Sequence, residues 1–165
     1  MNSMKALAHK FIAPYTNEEQ GPFEAVGRWH RQLGRISLAV DRANDDSYPL
    51  GRELLDEDLT FGLSRMVEDA ALLLHYLGVS DPVAEFLVEY ERAAKKHPGM
   101  TLDSDGHTNE SRFYALAEEV GEVAAALTYD NAQDTGHNAN LTSEVIQVGG
   151  LALAWLSRLQ GGVGQ

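Results

Sequence analysis

The sequence predicts an all-α protein, a helical bundle of about five to six helices. Three observations predict this class. Apolar residues recur at helical spacing almost throughout the chain, the alternation typical of strands is hard to find, and clusters of Gly, Pro, Asn and Asp separate the helical stretches. The chain has 165 residues, of which 44% are hydrophobic, enough for one domain with a sizeable core. We therefore predict a single domain over residues 1–165.

Segments rich in helix breakers separate the first three helices. These helices are predicted at Lys5–Ile12, Phe23–Arg42 and Gly51–Leu77. The breaks between them, at residues 13–22 and 44–49, contain proline together with Asn, Asp or Gly, which favour turns. Gly78 ends the third helix, because a glycine just past the last helical residue readily adopts the left-handed conformation that closes a helix.

The last three helices are predicted at Pro82–Lys96, Ser111–Tyr129 and Leu141–Gln160. Asp81 is an N-cap followed by proline at the first helical position, which is a favourable start. Asn140 is the candidate N-cap of the last helix. Breaks at residues 97–109 and 130–139 separate these helices from one another.

Composition excludes several classes of function. The formal net charge is −12 and there is no basic stripe, so a surface for double-stranded nucleic acid is not expected. The absence of cysteine excludes disulfides and thiolate metal sites. No apolar run reaches the roughly 18 residues that span a bilayer, and the start lacks the apolar region of a signal peptide. We therefore expect no membrane partner and a cytoplasmic location. The acidity itself fits either a solvated surface or a protein that gathers divalent metal.

The two halves of the chain echo each other weakly. Residues 32–40 resemble residues 119–127 in pattern, and residues 63–77 resemble residues 141–155. The first copy lacks the acidic pair on its earlier helix, since Arg35 stands where Glu122 would. Two interpretations stay open: amphipathic helices simply look alike, or the chain is a duplicated helical hairpin whose first copy has lost its metal site.

Two polar pairs lie on the last two helices. Glu119 and Glu122 are three residues apart, as are Glu144 and Gln147, so each pair shares one helix face. Each pair occupies the shoulder of its apolar stripe, and the small residue Ala115 leaves room beside the first. If the helices pack as an antiparallel hairpin, the pairs face each other and form an oxygen-rich site for Mg²⁺ or Mn²⁺. The alternative is a pair of solvated helix faces.

Two stretches carry a resemblance to a known family. They are EEVGEVAAAL at residues 118–127 and SEVIQVGGLALAWL at residues 143–156. They resemble the MazG-like group of all-α nucleoside triphosphate pyrophosphatases. The resemblance covers roughly residues 82–160 and covers the helices of residues 1–80 poorly.

The resemblance implies a site and an activity. The family carries an ExxE motif on one helix and an ExxD motif on the next, and the four acids bind Mg²⁺. Glu119, Glu122 and Glu144 match three of these acids, and Gln147 replaces the aspartate. Gln147 can offer a metal only a carbonyl oxygen. The implied catalytic residues are the three glutamates, and a homodimer or higher oligomer is implied as well.

The resemblance implies Mg²⁺-dependent hydrolysis of a nucleoside triphosphate to a monophosphate and pyrophosphate, and this is the predicted function. Four cations stand near the acids in sequence and are candidates for binding the triphosphate, or else are solvated surface charges: Arg92, Lys95, Lys96 and Arg112. The alternative function is that of a degenerate relative, which binds a nucleotide or a protein partner without turnover.

Overall fold

The computed structural model describes residues 2–12, 21–48, 50–128 and 140–161, and all the regular structure among them is helical. This confirms the predicted all-α class. The helices are α1 (Asn2–Phe11), α2 (Pro22–Asn44), α3 (Gly51–Tyr76), α4 (Pro82–Lys96), α5 (Asn109–Ala126) and α6 (Leu141–Gly161).

Local capping signals set several of these boundaries. The Asp81 carboxylate accepts the backbone N–H of Ala84 at 3.0 Å, as expected of an N-cap before α4. Gly78 follows α3 with φ of +87°, a conformation that favours glycine. The Asn140 side chain accepts the backbone N–H of Thr142 at 3.1 Å at the start of α6. The sequence therefore determines these helix ends through contacts within one turn.

Helix α5 begins two residues before its predicted start. The Thr108 hydroxyl accepts the backbone N–H of Ser111, so Thr108 is the N-cap and Asn109 is the first helical residue. The helix ends at Ala126 with Leu127 as its C-cap, before its predicted end at Tyr129, which itself lies outside the described residues. The same is true of the predicted break at residues 130–139 and of most of the break at residues 13–22.

Four long helices form a ring around the core. Helix α2 packs on α3 and α5, and α6 packs on the same two helices. Helix α4 packs mainly on α6, while α1 contacts α3, α4 and α6. The largest fully buried side chains come from every helix of this ring and from α4: Trp29, Trp155, Phe86, Ile36, Leu59, Leu63, Met66, Leu73, Leu74, Leu116, Leu153 and Leu156. No helix within the described residues is long and apolar enough to cross a bilayer.

A glycine pair brings α4 close to α6. A Cβ atom at Gly149 would lie 2.1 Å from a ring carbon of Phe86, so a side chain there would force the helices apart. A Cβ at Gly150 would lie 3.5 Å from Cγ of Glu89. This close approach positions Glu89 of α4 beside the part of α6 that carries the second polar pair.

Candidate metal centre

Helices α5 and α6 form an antiparallel hairpin. Glu122, near the end of α5, lies beside Glu144, near the start of α6. At the opposite end, Arg158 of α6 donates to the side chain of Asp105, which precedes α5. The antiparallel arrangement makes the two polar pairs face each other across the hairpin.

The structure brings the three predicted acids together. Glu119, Glu122 and Glu144 each offer a carboxylate oxygen, and these oxygens all lie within 4.8 Å of one another. Glu144 is buried, Glu119 is half-buried and Glu122 is exposed. One carboxylate oxygen of Glu119, Oε2, is buried without a hydrogen-bond partner among the described residues. The cluster is therefore open to solvent at Glu122 and has an unsatisfied acceptor at its inner side.

Burial and mutual repulsion raise the proton affinity of the cluster. Burial first, and then the charges of Glu122 and Glu144, raise the pKa of Glu119 to about 7. Burial also raises the pKa of Glu144, and the hydrogen bond and charge of Glu122 add to this effect. Both shifts indicate negative charge that the surrounding protein does not neutralise, which a bound cation would stabilise.

Gln147 contacts the cluster through its N–H group. Its amide Nε2 donates to Oε2 of Glu144 at 2.7 Å. A metal can use only the carbonyl oxygen of an amide, so a contribution from Gln147 requires its amide to rotate by half a turn. In the structure, this hydrogen bond orients the carboxylate of Glu144.

A fourth carboxylate near the site was missed in the sequence. Glu89 of α4 is mostly buried, and after burial and the other acids its charge also raises the pKa of Glu119. Arg92 donates two hydrogen bonds to Glu89, at 2.6 and 2.7 Å. Two features of the sequence could have pointed to Glu89: the spacing of three residues between Glu89 and Arg92 on α4, and the glycine pair of α6. Neither reveals which helices meet.

An open cleft adjoins the cluster, and Glu119 and Gln147 line one end of it. The cleft has a volume of about 520 Å³ and is bounded by α4, α5, α6 and the segment between α4 and α5. Ala115 lines it, as expected of a small residue that leaves room beside the acids. Of the predicted phosphate-binding cations, Arg92 and Lys96 line the cleft, whereas Lys95 is exposed and is not part of its lining.

Arg112 has a different place from the one its sequence position suggested. Only 2% of the residue is exposed, and it does not line the cleft. Its guanidinium donates to the carbonyl oxygens of Leu102 and Ser104, each at 2.7 Å. A predicted contact between Arg112 and a phosphate does not fit this position, because the donors are directed to the backbone.

Comparison with known proteins returns no match: no family model, no curated protein and no solved structure is detectably similar to this chain. The family membership implied by the two acidic stretches therefore stays a prediction. The same holds for the homodimer or higher oligomer that the resemblance implies. The function has to be argued from the site.

Proposed function

We propose that the protein is a nucleoside triphosphate pyrophosphohydrolase that depends on Mg²⁺ or Mn²⁺. One observation carries the proposal: three carboxylates from two facing helices converge, and one of them, Glu119, lines an open cleft large enough for a nucleotide. A cluster of acids alone is a common surface feature. The cleft beside this cluster, and the cations that line it, favour an anionic ligand that is bound through a metal.

The residues of the cluster fit a hard divalent cation. Glu119, Glu122 and Glu144 would hold the ion through oxygens that already lie within 4.8 Å of one another. Oxygen donors of this kind suit Mg²⁺ and Mn²⁺. The unpartnered Oε2 of Glu119 is the acceptor that such an ion would satisfy. When bound, the ion would neutralise phosphate charge and activate a water molecule.

Two cations of α4 would complement the triphosphate. Arg92 and Lys96 line the cleft, and the charge of Arg92 acts on Glu119. Their charges would offset phosphate charge that the metal leaves uncompensated. Water would attack between the α- and β-phosphates, the bond that joins them through the bridging oxygen would break, and a monophosphate and pyrophosphate would leave with release of a proton.

Gln147 favours a second candidate function. It supplies an N–H to Glu144 at a position where the resembled family has a fourth acid. A site with three acids binds a divalent ion less strongly than a site with four. The second candidate is therefore a protein that binds a metal–nucleotide complex, or a protein partner, without turnover.

The test is a panel of nucleoside triphosphates with Mg²⁺ or Mn²⁺, assayed for released pyrophosphate. Glu122→Ala should reduce turnover by orders of magnitude while the fold survives, because Glu122 is exposed and its loss leaves no core cavity. Glu91→Ala, an exposed acid of α4, is the matched control. Tight metal-dependent nucleotide binding without pyrophosphate release would favour the second candidate. Release of single phosphates would contradict both.

A further inference from the structure

The cleft has two chemically different ends. Glu119 and Gln147 mark the acidic end, and Ser111 and Ala154 lie seven to eight residues away along α5 and α6. With a rise of about 1.5 Å per residue, this separation is roughly 10 Å. The lining of the far end is mostly apolar: Met100, Leu102, Leu151 and Ala154. A ligand whose phosphates lie at the acids therefore places its other part among apolar side chains.

Residues 100–107, which we call the wall segment, form one side of that far end. The segment consists of turns between α4 and α5, and it follows Gly99, whose φ of +73° lets the chain reverse after α4. Met100, Thr101, Leu102 and His107 of this segment line the cleft. The Met100 side chain is 62% exposed, so it is accessible to a ligand.

Arg112 holds the middle of the wall segment. Its Nε and Nη2 atoms donate to the carbonyl oxygens of Leu102 and Ser104, each at 2.7 Å. A planar guanidinium can hold two acceptors at a defined spacing, which no other side chain does as rigidly. Because Arg112 is itself buried on α5, its hydrogen bonds fix the position of the wall segment relative to that helix.

Two further side chains fasten the same segment to α4 and α6. The hydroxyl of Tyr90 donates to the carboxylate of Asp103 at 2.8 Å. Arg158 of α6 forms an ion pair with Asp105. The wall segment is thus attached to all three helices that bound the cleft, although it has no regular structure of its own.

We propose that the wall segment recognises the non-phosphate part of the ligand, and that Arg112 is the positioning residue that sets this recognition. The inference rests on the proposed function and extends it to the choice of substrate. The apolar lining fits a flat, weakly polar group such as a nucleobase. Thr101, His107 and Ser111 supply hydrogen-bonding groups at the same end of the cleft.

If only the acids bound the ligand, inorganic triphosphate and a nucleoside triphosphate would bind equally tightly. Recognition by the wall segment makes the affinity for the nucleoside triphosphate higher. Inorganic triphosphate offers phosphates without a base, so it would engage the acidic end only. A nucleoside triphosphate would engage both ends. Arg112 stands seven residues before Glu119 on α5 and binds the wall segment at the far end, so its substitution should change the affinity for the nucleotide and spare that for inorganic triphosphate.

The experiment measures dissociation constants in Mn²⁺ for inorganic triphosphate and for the best-bound member of a panel of ribo- and deoxyribonucleoside triphosphates. The wild type should bind that nucleotide at least about tenfold more tightly than inorganic triphosphate. Arg112→Met should weaken nucleotide binding by about tenfold or more, while inorganic triphosphate changes by no more than about twofold. Arg112→Lys should recover part of the loss, because it restores one donor.

Met100→Ser keeps the experiment decisive if Arg112→Met does not fold. Met100 is exposed, so its replacement should leave the melting temperature unchanged and still weaken nucleotide binding selectively. Val88→Ser is the matched control, because Val88 is also 62% exposed and does not line the cleft. Its nucleotide affinity should equal that of the wild type.

Equal changes for both ligands in Met100→Ser and Arg112→Met, or no change in either, would overturn the inference. A wild type that binds inorganic triphosphate as tightly as every nucleotide would overturn it as well. Selective nucleotide binding without pyrophosphate release would leave recognition by the wall segment standing and remove the proposed enzyme. Binding of neither ligand in Mn²⁺ would remove both.

Discussion

The hairpins α2–α3 and α5–α6 each hold acidic groups between packed helices, but the groups have different partners. In the first hairpin, the buried Asp69 accepts a hydrogen bond from Nε of Arg28 at 2.7 Å. In the second, Glu119 and Glu144 face each other and Glu122. None of the ion pairs found among the described residues involves them, although the charge of Arg92 acts on Glu119. One hairpin therefore pairs its acid with a cation of the chain, and the acids of the other have no ion-pair partner among the described residues.

The weak sequence similarity between the two halves allows the two hairpins to be compared position by position. If residues 32–40 are aligned with residues 119–127, Arg28 of α2 falls at the position of Ala115 in α5. In the first hairpin a guanidinium fills that position, and in the second the small alanine lines the cleft.

The first hairpin also shows that a neighbouring cation only partly offsets the effect of burial on the pKa of an acid. The pKa of Asp69 is raised, because burial outweighs the favourable charge and hydrogen bond of Arg28. An acid between helices thus remains costly even when it is paired. The cluster on α5 and α6 has two such acids, Glu119 and Glu144, beside the exposed Glu122, so its stability should depend on pH.

The largest expected effect comes from Ala115→Arg, which would build the arrangement of the first hairpin into the second. The new guanidinium should enter the cleft and pair with Glu119, so metal-dependent stabilisation should disappear. For a site at 100 times its dissociation constant, that stabilisation is about 2.7 kcal/mol. Melting curves with and without Mn²⁺ measure it. Ala125→Arg, at an exposed position of α5, should keep the metal response; an equal response in both variants would contradict the comparison.

Removal of the internal cation should destabilise the first hairpin. Arg28→Met leaves Asp69 buried without this partner, and we expect a loss of about 1–3 kcal/mol in the free energy of unfolding, since both side chains are partly exposed. Denaturant titration measures it. Arg65→Met, which breaks an exposed ion pair with Glu68, should cost at most about 1 kcal/mol. Similar losses in both variants would mean that burial of Asp69 does not matter.

The stability of the metal-free protein should depend on the protonation of Glu119. Its pKa is about 7 in the folded state against an ordinary value of 4.5, so the folded state binds the proton more tightly. The stabilisation is present below about pH 4.5 and is lost as the pH rises through about 7. After discounting for solvent screening, we expect roughly 1–2 kcal/mol. Glu119→Gln should flatten this dependence in chelator-treated protein; equal slopes would refute the assignment.

Of these substitutions, Gln147→Asp should change the free energy of unfolding least, and it should change metal-free stability and Mn²⁺ affinity in opposite directions. It replaces the N–H that supports Glu144 with a fourth carboxylate, so the metal-free protein should become less stable by roughly 1 kcal/mol. The affinity for Mn²⁺ should rise, because the site gains an anionic ligand. Calorimetric titration with Mn²⁺ measures this rise. Weaker metal binding would mean that residue 147 faces something other than the cation.

The sequence predicted the parts of the structure that depend on near neighbours along the chain. Periodic apolar residues predicted six helices, and Asp81 and Gly78 marked helix ends because a cap acts within one turn. The spacing of three residues placed Glu119 with Glu122 on one helix face. These signals need no knowledge of which helices meet.

Only the tertiary structure decided which groups from different helices come together. It added Glu89 to the surroundings of the cluster, since Gly149 lets α4 approach α6. It placed Arg112 against backbone carbonyls instead of a phosphate, because α5 packs beside the wall segment. Contacts between helices arise from the fit of whole side-chain surfaces, which spacing along one helix does not encode.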